Sequence, residues 1–148
     1  LGIYGHSLGA AVAIVGAVQH AEIEAVAAES PFSNLSRTVG HFARRYYGLP
    51  YMPFIPLALL MTSLRLGVRK RDFAPAEAIG KISPRPVFLI FAERDGRTPL
   101  KDADDLWKAA REPKESWIVP GADHGEPWVI AKDEYESRLV GFFERTFR

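Results

Sequence analysis

A serine, a histidine and a carboxylate can together cleave an acyl bond, and this chain carries all three in suggestive settings. The serine is Ser7, inside Gly5-His6-Ser7-Leu8-Gly9. The apolar run Leu1 to Tyr4 precedes it, and the Ala- and Val-rich run Leu8 to Gln19 follows. The expected order is strand, sharp turn, helix, and a serine at such a turn has its hydroxyl pushed out of the sheet. Gly5 and Gly9 are expected to let strand and helix approach without Cβ clashes. The Leu8 amide opens the helix and can bind a developing oxyanion. A merely structural turn is the competing reading, because Gly and Ser are common residues.

A serine hydroxyl is a poor nucleophile without a base. Of the four histidines, His6 neighbours Ser7 in sequence but should point away from it. His20 ends a helix, where it meets the dipole. His41 falls mid-helix, near the charged face. His124 lies in VPGADHGEPW, a glycine-bounded loop just after a strand, where sites on open α/β sheets are built. The base in turn needs an acid to hold its tautomer. Asp95, in FAERDGRTP, follows another strand and is preferred. Asp123 adjoins His124, so its side chain should diverge from that ring. Glu93 and Glu126 are understudies, and Asp102, Asp104 and Asp105 read as a solvated helix face.

The elements that must position these residues follow from pattern. After the first strand and helix come a strand at Ile23 to Ala28 and a helix from Ser33 or Asn34 to about Tyr47. Leu35, Val39, Phe42 and Tyr46 share one face of that helix. Pro50, Pro53 and Pro56 predict an extended connection, followed by an apolar helix over Leu57 to Leu66. A charged link, Val68 to Asp72, leads to a short helix over Pro75 to Ile79. Val87 to Phe91 is the clearest buried parallel strand. A helix opened by Pro99, a strand at Trp117 to Val119 and a terminal helix carrying Tyr135, Leu139, Phe142 and Phe143 complete the chain. Strands separated by helices imply an α/β fold with a doubly wound parallel sheet of about four strands.

Ser7, Asp95 and His124 occur in the order that belongs to α/β-hydrolases. In GHSLGAA, AAESPFSNL, SPRPVFLIFAERDGRTPL, KESWIVPGADHGE and YESRLVGFFERTF the chain resembles the C-terminal half of a bacterial α/β-hydrolase. It is closest to the dienelactone-hydrolase-like, prolyl-oligopeptidase-like and bile-acid-acyltransferase-like branch. The resemblance covers residues 1–148 as one partial domain and is weakest over 33–75. It implies a Ser7-His124-Asp95 triad, an acyl-enzyme intermediate and no cofactor. Ala92 stands where the pattern often has Gly, and Gly96 should loosen the turn after the acid. The family fold has more strands than this chain, so the expectation is a piece of a longer enzyme. The second oxyanion amide would then lie elsewhere, and the piece alone would be inactive.

The segment 33–75 is expected to form a helical cap, with Phe42, Tyr46, Tyr51, Phe54 and Met61 as an apolar wall for substrate. The simpler reading is that these residues bury one another. Arg65, Arg69, Lys70 and Arg71 read as a solvated face, with membrane contact a minor alternative.

Composition narrows the field. The 19 Lys and Arg nearly balance the 18 Asp and Glu, so no nucleic-acid partner is expected. The chain has no Cys, which excludes disulfides, a thiol nucleophile and a thiolate metal site. No His-x-His or His-x-x-x-His spacing suggests a metal. No targeting segment is visible, and a cytoplasmic protein is the expectation. The substrate is then a small ester, thioester or peptide. A peptidase or acyltransferase would share the chemistry, and a non-catalytic ligand-binding scaffold is the alternative from another class.

Overall fold

The computed structural model describes residues 1–67 and 73–148. β1 (Gly2–His6), β2 (Ala25–Glu29), β3 (Val87–Ala92) and β4 (Lys114–Val119) form one sheet in that order, every neighbouring pair parallel. His6 pairs with Glu29, Glu29 with Ile90, and Ala92 with Val119, so the C-terminal strand ends share one edge, the crest.

Parallel neighbours need crossovers, and covering helices bury both faces. α1 (Leu8–Gln19), α4 (Pro75–Ala78) and α5 (Leu100–Ala109) pack on one face, where Ile14, Ile79 and Leu106 meet Val26 and Leu89. The terminal helix α7 (Lys132–Phe147) follows the short α6 (Pro127–Ile130) and covers the other face. Its Tyr135 and Phe142 join Phe88 and Ile90 in a second core. β2 and β3 are buried throughout, as continuous apolar runs require. Glu29, at the end of AVAAE, is the one acid in them.

The insertion contains α2 (Leu35–Tyr47) and α3 (Phe54–Leu66). Asn34 caps α2 by accepting from the Arg37 amide at 3.1 Å. Several expectations need correction here. α3 begins at Phe54, because Pro56 falls in its first turn, where no backbone N–H is needed. On the apolar face expected for α2, Phe42 and Tyr46 are 39% and 50% exposed. Its buried residues are Ser36, Gly40 and Ala43. The Tyr51 ring lies over Gly40, 2.7 Å from where a Cβ would stand, so the helix packs through its small residues. Leu8 and Val12 of α1 are exposed. The link Val68 to Asp72, with Arg69, Lys70 and Arg71, lies outside the described residues, while Arg65 is exposed. Among the described residues no helix is long and apolar enough to cross a membrane.

Asp102 is not part of a solvated face; it is 1% exposed. Its Oδ1 accepts from the Ser33 amide at 2.9 Å, the Ser33 hydroxyl at 2.5 Å and Arg37 at 2.8 Å. Arg37 also reaches Asp105 at 2.6 Å. Burial disfavours the guanidinium charge, but the two carboxylates outweigh it and hold Arg37 above its ordinary value. The starts of α2 and α5 are thereby tied together. Asp104 alone of the three remains a surface residue, paired with Lys108.

Candidate active site

Ser7 joins β1 to α1 with φ 53° and ψ −117°, a left-handed backbone that costs a non-glycine residue about 1–3 kcal/mol. Its amide donates to the Glu29 carbonyl at 2.8 Å, which ties the turn to β2. Ser7 stands at the N-cap of α1, yet its side chain makes no cap hydrogen bond. A serine there normally bonds an amide of the first turn. The Leu8 amide is the first of the helix and has no acceptor within it. Gly5 is required, since a Cβ would lie 2.4 Å from the Gly9 carbonyl oxygen. Gly9 is not held to glycine in this way, because among the described residues nothing lies within 4 Å of where its Cβ would stand. The expected mutual role of the two glycines therefore falls to Gly5 alone.

The Ser7 hydroxyl is spent on His124, whose Nε2 lies 3.0 Å from Oγ. His124 Nδ1 lies 2.8 Å from Asp95 Oδ2. The His124 and Asp95 side chains are 6% and 2% exposed, so water does not screen the pair. Burial alone would raise the Asp95 carboxyl. The hydrogen bonds from His124 and from the Thr98 and Arg97 amides outweigh it and hold the group below the ordinary carboxylate range. An ionised carboxylate only accepts, so Nδ1 carries the proton and Nε2 is left to accept from Ser7.

The loops bearing Asp95 and His124 are stitched together past the ends of β3 and β4. Glu93 N donates to Val119 O at 3.1 Å and Arg94 N to Ala122 O at 2.8 Å. Glu93 Oε2 accepts from the Gly121 amide at 2.7 Å, and Glu126 Oε2 from the Asp123 amide at 3.0 Å. Both understudy carboxylates thus hold backbone. The Asp123 side chain turns to the Gly96 and His124 amides. Gly96 does not loosen its turn: its carbonyl also meets His41 Nε2 at 3.1 Å.

Behind the turn sits a carboxylate that sequence reasoning missed. Glu29 is 3% exposed, and its Oε2 accepts from Tyr4 at 2.7 Å and Tyr135 at 2.5 Å. Burial, with Glu29 alongside, pushes the Tyr4 phenol up to about 12 against the lowering bond from Tyr135, and burial drives Tyr135 higher still. His6 lies on the same face, its Nε2 3.9 Å from Glu29 Oε1 and its ring centroid 5.1 Å from that of His124. An acid closing an otherwise apolar buried strand was the available signal, since such a group must find partners.

The five predicted wall residues are all exposed. Phe42 packs against Tyr46, centroids 4.5 Å apart. Tyr51 meets the Ser36 hydroxyl at 2.5 Å and borders a hollow of about 550 Å³ shared with Asn34, Arg37, His41 and Arg44, a lining of mixed character rather than an apolar wall. Met61 borders a separate hollow with Thr62, Leu64 and Arg65. Phe54 lies in the first turn of α3. Among the described residues no group of three or more His, Asp or Glu could hold a metal ion.

No family profile matches the chain. The uncharacterized protein YqkD of Bacillus subtilis is 29% identical over 146 residues, 97% of this chain and 48% of that protein. The uncharacterized protein Rv2307c of Mycobacterium tuberculosis is 31% identical over 127 residues, 86% of this chain and 38% of that protein. The chain spans about half the length, or less, of these curated relatives. Among solved structures, the Pyrococcus furiosus esterase Pf2001 superposes with a TM-score of 0.73 at 24% identity, over 97% of this chain and 52% of that one. The alpha/beta hydrolase GrgF from Penicillium sp. sh18 gives 0.68 at 22%, over 98% and 63%. The chain has the α/β-hydrolase fold and covers part of it.

Proposed function

We propose that the protein is a serine hydrolase that cleaves carboxylic esters or thioesters. The observation that carries this reading is the continuous relay from Ser7 Oγ through His124 to Asp95, at 3.0 and 2.8 Å, on a left-handed strand–helix turn. Ser7 Oγ attacks the substrate carbonyl while its proton passes to His124 Nε2. The oxyanion that forms is met by the Leu8 amide. His124 returns the proton to the departing alcohol or thiol, leaving Ser7 acylated. Water, deprotonated by the same nitrogen, then releases the acid. Asp95 keeps the ring in the tautomer with Nδ1 protonated and stabilises the imidazolium.

The α2–α3 insertion is read as a cap over this site. It is anchored at the acid turn through His41 and Gly96 and presents Phe42, Tyr46, Phe54 and Met61 outward. If the insertion closes over the relay, these exposed apolar side chains suit an ester with a hydrophobic acyl or alcohol part.

The test is an active-site fluorophosphonate applied to the full-length protein. Ser7 should be labelled, and Ser7→Ala should abolish labelling and lower ester turnover by roughly 10⁴-fold. A folded protein that is neither labelled at Ser7 nor impaired by Ser7→Ala overturns the reading.

A further inference from the structure

We infer that Asp123 is a positioning residue that sets the spacing between the Asp95 turn and the His124 loop; the inference rests on the relay proposed above. Asp123 Oδ1 accepts from the Gly96 amide at 3.0 Å and from the His124 amide at 2.6 Å. Gly96 directly follows Asp95. One oxygen therefore bonds the backbone next to the acid and the backbone of the base itself.

The need for a side chain at this point follows from the way the two loops part. Backbone pairing between them runs through Glu93–Val119 and Arg94–Ala122. Beyond Arg94, the described ties between the two loops are the Asp123–Gly96 bond and the Asp95–His124 pair. That pair joins the tips of two rotatable side chains, so by itself it leaves the spacing of the two backbones unset. The other ends are secured separately. Asp95 Oδ1 accepts from the Arg97 and Thr98 amides, Glu126 accepts from the Asp123 amide, and His41 meets the Gly96 carbonyl. Asp123 closes the circuit between two already ordered pieces.

Although Asp123 lies at the surface, its carboxylate serves as an acceptor for two backbone amides. Bonds from the Gly96 and His124 amides hold its carboxyl below the ordinary range, against some opposition from the nearby Asp95 charge. Asp123 is exposed, so its carboxylate could turn away from Asp95 into water, yet it bonds the two amides.

The experiment compares Asp123→Ala, Asp123→Leu and Asp123→Asn in the full-length protein, reading ester turnover, Tm and amide hydrogen exchange. Asparagine retains an acceptor oxygen; alanine and leucine do not. The expected result is a 10- to 100-fold loss of kcat in the Ala and Leu variants, with KM within about twofold and Tm nearly unchanged. Exchange at the Gly96 and His124 amides should quicken about tenfold in both, and Asp123→Asn should restore both readouts. Wild-type kcat in Asp123→Ala overturns the inference, as does a loss that Asp123→Asn fails to recover. If exchange quickens in the Ala variant while Ser7 of the unaltered protein resists the fluorophosphonate, the hydrolase reading fails and the tie between the loops stands.

Discussion

At the crest, Ser7, Asp95 and His124 come from three separate connections and meet within hydrogen-bonding distance. In the α2–α3 insertion, residues of stronger apolar character stay apart from any core: Leu64 is 77% exposed, and of the large apolar side chains of α3 that are described only Ile55 is buried. The two regions differ in what lies beneath them. Parallel strands in register bring their C-terminal ends to one edge, so a residue just past any of them arrives in a known neighbourhood. α2 and α3 have no such sheet to choose their inward faces. α3 is apolar on every side, and α2 packs through Gly40 and Ala43 rather than through its aromatics.

The contrast can be broken most sharply at the crest. Asp95→Asn should lower kcat by about 10⁴-fold, because an amide can stabilise the wrong imidazole tautomer and cannot balance the imidazolium. A loss under tenfold would detach Asp95 from the chemistry. The same variant tests linkage. The folded carboxyl is lowered, so its contribution is complete above the unfolded value of about 3.9 and disappears as pH falls through the lower folded value. Denaturant unfolding between pH 2 and pH 5, taken here as roughly the span of that loss, should therefore be flatter for Asp95→Asn than for the unaltered protein.

Next in size are the two glycines of the turn. Gly5→Ala drives a Cβ into the Gly9 backbone and should cost about 3 kcal/mol in urea unfolding, with loss of Ser7 labelling. Gly9→Ala meets nothing and should be neutral or stabilising by up to about 1 kcal/mol, since alanine suits a helix better. Equal effects would mean that the close approach at Gly5 is not what shapes the turn.

A final pair, ending with the smallest effect, separates the buried tie of the insertion from its surface. Asp102→Ala strands the Ser33 amide and Arg37 and should cost about 3 kcal/mol by urea unfolding. Leu64→Ser should stay within about 0.5 kcal/mol. A large loss at Leu64 in the full-length protein would show that this surface is covered, which would redraw the comparison.

Much of the crest could be read along the chain. Strand ends are local features, marked by apolar runs that stop at Gly, Pro or charge, and the order Ser7, Asp95, His124 needs only those ends. Which carboxylate meets the ring was less legible. Glu93, Asp95, Asp123 and Glu126 all fall in the right loops, and only their side-chain directions assign one to the ring and three to backbone amides. Asp102 looked like a surface acid because its partner Ser33 is 69 residues away.

The sequence by itself therefore determined the α/β succession, the turn at Ser7 and the loops that bear Asp95 and His124. Each of these depends on contacts a few residues long, or on the rule that parallel strands end together. The tertiary structure alone decided the partners of Glu29, Asp102 and Asp123, the inward face of α2 and the idleness of Gly9. Those depend on which distant backbone or side chain arrives alongside, and a linear pattern carries no distance across the fold.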